Sequence, residues 1–177
     1  MTAEQVSQCV DRYGNEIYRF CRHLTGSTAE GEELYQDTFL KAIELSEQMD
    51  ASQNPKSYLI SIAIRLWKNK KRKFAWRTRI ATMQSADAEE ENGQPLGDPN
   101  TLSPEETLLD RECKAAVAHC VNALPATYRL PICLYYAAEL PIRDIAAILH
   151  LPEGTVKRRL HHARKQIKQE LEAMGYE

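Results

Sequence analysis

The chain has 177 residues, with 23 Lys+Arg against 25 Asp+Glu, a formal net charge of −2, and 43% hydrophobic residues. That length suits one ordinary domain or two small ones, and the balance of charge and apolar content excludes a disordered chain. No apolar run is long enough to span a bilayer, and the N-terminus shows no basic region followed by an apolar one, so a cytoplasmic protein without membrane insertion is expected.

Taken in chain order, the pattern is helical almost throughout. Val6 to Leu24 is predicted as a first helix. Thr25-Gly26-Ser27 interrupts it, and Ser27 or Thr28 can cap a second helix carrying Leu34, Phe39, Leu40, Ile43 and Leu45 at near-helical spacing. Asn54-Pro55 marks the next break. A third helix starts near Pro55 and runs through "RLWKNKKRKFAWRTR", residues 65–79, which holds eight basic residues, no acid and three aromatics. Leu59, Ile62, Ala63 and Leu66 form its inward stripe. Ser61, Arg65, Lys68 and Arg72 fall at i, i+4, i+7 and i+11 on the opposite side. Trp67 and Phe74 are expected at the edge between the two. A basic face bordered by aromatics suits unpaired bases, since rings stack on bases and cations track phosphates.

From about Gln84 to Ser103 the pattern fails. "DAEEENGQPLGDPNTLSP" is rich in acids, Gly and Pro, and is expected to be a flexible linker. Nine acids and one base lie between Asp87 and Glu112, with basic runs on either side, so local fields are strong although the total charge is small. The chain is thus predicted to be all-α: two small helical domains, residues 1–83 and 104–177, joined by residues 84–103. The second unit opens at Ser103-Pro104-Glu105-Glu106, a capped helix start, and that helix ends at Leu124-Pro125. Another covers Thr127 to Ala138. A short helix (Ile142 to Leu149), a tight turn (His150 to Glu153) and a longer basic helix then have helix-turn-helix spacing. His150 stands where such turns usually carry glycine, and a His can take the left-handed conformation there at some cost.

For catalysis the sequence supplies no Gly-rich phosphate loop, no H-E-x-x-H and no nucleophile elbow, so no enzyme is expected. The five cysteines are odd in number and show no C-x-x-C spacing. They are read as buried reduced thiols, and no metal or cofactor is assigned. The last helix, taken at about 100° per residue, turns Val156, Leu160, Ala163, Ile167 and Leu171 inward. Thr155, Arg158, His161, His162 and Lys165 point outward, with Lys157, Arg159 and Arg164 on the flanks. In a major groove the outward N-terminal residues meet base edges and the flanks meet phosphates. Arg158 is then the base reader, and Lys157, Arg159 and Arg164 are phosphate clamps.

At this point the residues resemble the extracytoplasmic-function sigma factors, the smallest bacterial promoter-recognition subunits of RNA polymerase. "YRFCRHLTGSTAEGEELYQDTFLKA" is similar to the first conserved block of that family, and "NPKSYLISIAIRLWKNKKRK" to the next. "LPATYRLPICLYYAAELPIRDIAAILHLPEGTVKRRLHHARKQI" is similar to the C-terminal block, most specifically at Gly154-Thr155-Val156-Lys157 and Arg159-Leu160. The resemblance implies that Glu33, Leu34, Gln36, Asp37, Phe39 and Leu40 dock on the clamp helices of core RNA polymerase. It implies that Asn54, Lys56, Ser61, Arg65, Trp67, Lys68, Lys71 and Arg72 face the −10 element. It also implies that Thr155 to Lys165 read the −35 element of promoter DNA, that the second unit touches the polymerase flap, and that an anti-sigma factor holds the protein inactive. Ile64-Arg65, Asn69, Arg158 and His162 depart from the usual family residues at DNA-facing positions, which puts the promoter sequence in doubt rather than the activity.

Two other classes compete. A self-sufficient helix-turn-helix regulator would need a ligand or phosphoacceptor domain in place of the Gln36-Asp37 block. An enzyme acting on nucleic acid would need clustered metal-binding acids or a nucleophile, and none cluster.

Overall fold

A computed structural model describes residues 2–48, 54–82 and 108–176. Seven α-helices carry the described residues: α1 (Ala3–Thr25), α2 (Thr28–Glu44), α3 (Pro55–Thr82), α4 (Leu108–Ala123), α5 (Ala126–Ile132), α6 (Ile142–Leu149) and α7 (Glu153–Ala173). No strand occurs among them. The linker expected at 84–103 and the helix opening expected at Ser103 to Glu106 lie outside the described residues.

Local chemistry sets the helix ends. Thr2 and Gln5 form a reciprocal capping box at the start of α1. Gly26 ends that helix in the left-handed region at φ 77°, and a Cβ there would come within 2.7 Å of the Asn122 side chain. Two separate demands therefore call for glycine at this position. Ser27 caps α2 through the Glu30 amide. Gly31 lets α2 cross α1 closely, since its Cβ would stand 2.7 Å from the Cα of Arg22.

In the first unit α1, α2 and α3 pack around Ile17, Phe20, Leu24, Leu59, Ile60 and Ala63, all fully buried. Each large apolar side chain among these stabilises the fold by about 1.5–3 kcal/mol relative to exposure. In the second, Leu134, Ile145, Val156, Leu160 and Ala163 are buried between α5, α6 and α7. The buried residues of the two units form one contiguous cluster. Polar contacts also cross between them. Arg19 of α1 donates from Nε to the Ala137 carbonyl at 3.1 Å and is ion-paired to Glu139, while Arg129 of α5 donates to the Leu24 carbonyl at 3.4 Å.

One predicted element differs. The helix expected from Thr127 to Ala138 is α-helical only to Ile132 and continues as a π-helical turn, Cys133–Ala137. Pro131 lies inside this stretch and has no N–H, so the ordinary ladder is already interrupted there. The Ala138 amide closes the wider turn on the Cys133 carbonyl at 3.0 Å.

Candidate polymerase and nucleic-acid interface

The helix-turn-helix is built from α6, the His150 corner and α7. His150 ends α6 with φ 54° and ψ 47°, in the left-handed conformation open to a His at this corner. The Leu151 amide then bonds the Ala146 carbonyl at 3.0 Å, which turns the chain sharply into Pro152 and α7. Val156, Leu160 and Ala163 are buried, and Ile167 and Leu171 are half-buried, so the inward stripe lies where the angular reading puts it. Lys157, Arg158, His161, His162, Arg164 and Lys165 are exposed, and Thr155 and Arg159 are half-buried. A Cβ added at Gly154 would meet nothing within 4 Å, so packing inside the chain does not require glycine at the start of α7. His162 leans toward Tyr128 of α5, with ring centroids 6.4 Å apart.

On α3, Ser61, Arg65, Lys68 and Arg72 are all exposed on one side. The inward side is broader than four residues: Leu59, Ile60, Ile62, Ala63, Ile64 and Trp67 are all buried. Trp67 is thus not at the edge. It is only 5% exposed, because α3 is packed by both α1 and α2, and its indole belongs to the core. Stacking on unpaired bases is not open to it in this arrangement. Phe74 and Trp76, farther along α3, are the exposed aromatics, at 72% and 66%. The Lys71 ammonium lies 5.0 Å from the Trp67 ring centroid. Burial first, then the Arg129 charge, hold Lys71 below the usual lysine range, while Glu30 pulls it back up. Asn54 accepts a bond from the Lys56 amide and caps the helix start. The Lys56 side chain is turned inward onto Glu16 of α1, away from solvent.

On α2 the six residues assigned to polymerase docking divide. Glu33, Gln36, Asp37 and Leu40 are exposed, Leu40 at 61%. Leu34 and Phe39 are buried and pack inside the first unit, Phe39 edge-on to Tyr35 with centroids 5.0 Å apart. Helical spacing alone places all of them on α2 but does not say which side the neighbouring helices cover. Glu33 is ion-paired to Lys70 of α3. Glu33, Leu34 and Asp37 line a groove of about 1010 Å³ together with Leu66, Lys70 and Trp76. α2 and the basic helix α3 therefore meet along one trough.

Among the described residues no group of His, Cys, Asp and Glu could hold a metal ion, and no helix is long and apolar enough to cross a membrane. Four of the cysteines are buried as expected, while Cys113 is exposed.

Comparison with known proteins agrees with this geometry. Residues 9–78 match the family "Sigma-70 region 2", and residues 114–167 match "Sigma-70, region 4". The chain is 28% identical over 166 residues to the ECF RNA polymerase sigma factor SigW of Bacillus subtilis, covering 92% of this chain and 86% of that one. It is 26% identical over 168 residues to the ECF RNA polymerase sigma factor SigL of Mycobacterium tuberculosis, covering 93% and 88%. Its fold is shared with the sigma factor RpoE in complex with the anti-sigma factor NepR from Bartonella quintana. That match has a TM-score of 0.73 and 21% identity, and covers 96% of this chain and 98% of that one. The fold is also shared with CnrH in complex with the cytosolic domain of CnrY, at a TM-score of 0.65 and 21% identity, covering 95% and 88%. With both sigma-70 regions present in order on one helical chain, the protein belongs to the extracytoplasmic-function sigma factors of RNA polymerase.

Proposed function

We propose that this sigma factor divides promoter recognition between two surfaces, one on each unit, and works in the cytoplasm without catalytic activity of its own. Residues 1–83 act as the docking and −10 unit, 104–177 as the −35 unit, and 84–103 as the connection. The exposed residues of α2 (Glu33, Gln36, Asp37 and Leu40) meet the clamp helices of core polymerase, with Leu34 and Phe39 supporting them from beneath. The exposed row Ser61, Arg65, Lys68 and Arg72, joined by Asn54 and Lys71, faces the −10 element and its melted strand. Lys56 and Trp67 contribute to that face through its shape rather than by touching DNA. On α7, Arg158 reads a base, Lys157, Arg159 and Arg164 hold phosphates, and Thr155, His161, His162 and Lys165 complete the surface. The second unit also touches the polymerase flap.

The observation that carries this reading is the pairing, in one chain, of a helix-turn-helix whose second helix exposes a basic face with a separate helix, α2, exposing polar and apolar residues that stay uncovered among the described residues. The first is a DNA reader. The second has no use in a regulator that acts alone. An anti-sigma factor is the expected inhibitor, since RpoE was solved in complex with the anti-sigma factor NepR.

Binding to core polymerase tests the reading. Replacing Gln36 and Asp37 together by Ala should weaken association at least tenfold while helicity is retained, because both side chains are exposed and support no packing. Unchanged affinity with intact helicity would reject α2 as the docking surface.

A further inference from the structure

Tyr135 and Tyr136 lie in the π-helical turn that follows α5. Their rings meet edge to face, with centroids 4.9 Å apart and an interplanar angle of 78°. Arg164 of α7 lies against both. Its guanidinium carbon is 5.4 Å from the Tyr135 centroid and 5.6 Å from that of Tyr136. Its Nε–H donates to the Tyr136 hydroxyl at 2.8 Å. Tyr136 itself is 55% exposed, so the cluster stands at the surface rather than in the core.

We propose that Tyr136 is a positioning residue for Arg164, and that the two residues, with Tyr135 as a platform, form a subsite for one phosphate of the DNA backbone at the −35 element. The inference rests on the reading of α7 as the −35 helix and deepens it. A free arginine on a helix surface samples many rotamers and loses that freedom when it grips a phosphate. Here the guanidinium is already fixed in the free chain. With Nε used inward, the two terminal amino groups keep their four N–H donors, the set that binds a phosphate through two parallel bonds. Arg164 has no carboxylate partner among the described residues, so its charge is not already neutralised within the fold. The two tyrosines stand in the π turn with their rings in contact, and Arg164 of α7 reaches both.

The test is a thermodynamic cycle on holoenzyme, the chain bound to core polymerase, titrated with promoter DNA over a range of salt. Arg164→Ala should weaken binding for all −35 sequences alike and lower the salt slope by about one. Tyr136→Phe keeps the ring and the charge. It should weaken binding about two- to tenfold, uniformly over sequences, with the salt slope unchanged. Arg164→Lys, which keeps a charge but loses the Nε donor, should behave like Tyr136→Phe. The double variant Tyr136→Phe/Arg164→Ala should bind no worse than Arg164→Ala alone. If Tyr136→Phe binds like the unaltered chain, or if its effect adds fully to that of Arg164→Ala, the positioning role is overturned while the phosphate contact stands. If Arg164→Ala itself changes nothing, the phosphate role of the α7 flank falls, and the positioning role falls with it.

Discussion

Lys56, in the first turn of α3, is ion-paired to Glu16 in the middle of α1, and its side chain is only 13% exposed. The resemblance puts this lysine on the DNA face. The structure makes it a strut between two helices of the first unit. Removing it leaves a half-buried carboxylate without its partner, a larger loss than that of a surface ion pair.

Lys56→Ala should therefore destabilise the chain by about 1–2 kcal/mol, between the values for exposed and fully buried pairs. Chemical denaturation checks this. Glu16→Gln/Lys56→Met, which replaces the pair by uncharged groups of similar size, should recover much of the loss. A fully stable Lys56→Ala with weakened promoter binding would return the residue to the DNA face.

Arg158 is exposed near the N-terminus of α7, away from the buried stripe of Val156 and Leu160. A guanidinium there can reach two acceptors on a guanine edge. Arg158→Ala should cost about 1–3 kcal/mol concentrated at one base pair. Transcription from a promoter library varied through the −35 element reads this out as preference flattened at one or two positions. An unchanged preference profile would mean that the helix is rotated relative to the groove from the orientation assigned here.

The thiols give a pH-dependent prediction. Burial pushes Cys21 up to about 12, and it does the same to Cys133, where the Arg129 charge opposes the rise without cancelling it. At pH 8 these two should resist alkylation in the folded chain, while exposed Cys113 reacts first. Mass spectrometry of partly labelled protein gives the order. The linkage has a definite sign. In the unfolded chain both thiols ionise near the ordinary value of 9.0, whereas folded they keep their protons. The folded state then binds more protons, and stability should fall as pH rises from about 9 toward 12. Cys21→Ala and Cys133→Ala should each flatten that decline, and a decline identical in both would assign it to other groups.

Much of the second unit was legible in the sequence. The α6 boundaries, the left-handed His150 and the buried face of α7 follow from periodicity and turn chemistry, which are local properties. The first unit was harder. Helical spacing identifies a stripe but not its width: α3, packed by two helices, buries Ile60, Ile64 and Trp67 as well as Leu59, Ile62 and Ala63, and leaves Leu66 half-buried. Lys56 and Glu16 are forty residues apart, and no local pattern signals that they pair. The π turn depends on how Pro131 interrupts its own helix, and the contact of Arg164 with Tyr136 joins residues 28 positions apart, which no local pattern signals. Leu34, Phe39 and Leu40 share one helix, and only tertiary packing tells the buried pair from the exposed residue.

The central claim is that the chain gives core polymerase its promoter specificity through both units at once. Run-off transcription with purified core polymerase, the chain and a library of bacterial promoters tests it most directly. The account predicts initiation at defined sites only when both proteins are present, sharing conserved −10 and −35 elements, with Arg65→Ala/Arg72→Ala impairing strand opening and Arg158→Ala altering the −35 preference. No chain-dependent initiation, together with tight binding of the isolated chain to promoter duplex at physiological salt, would contradict it.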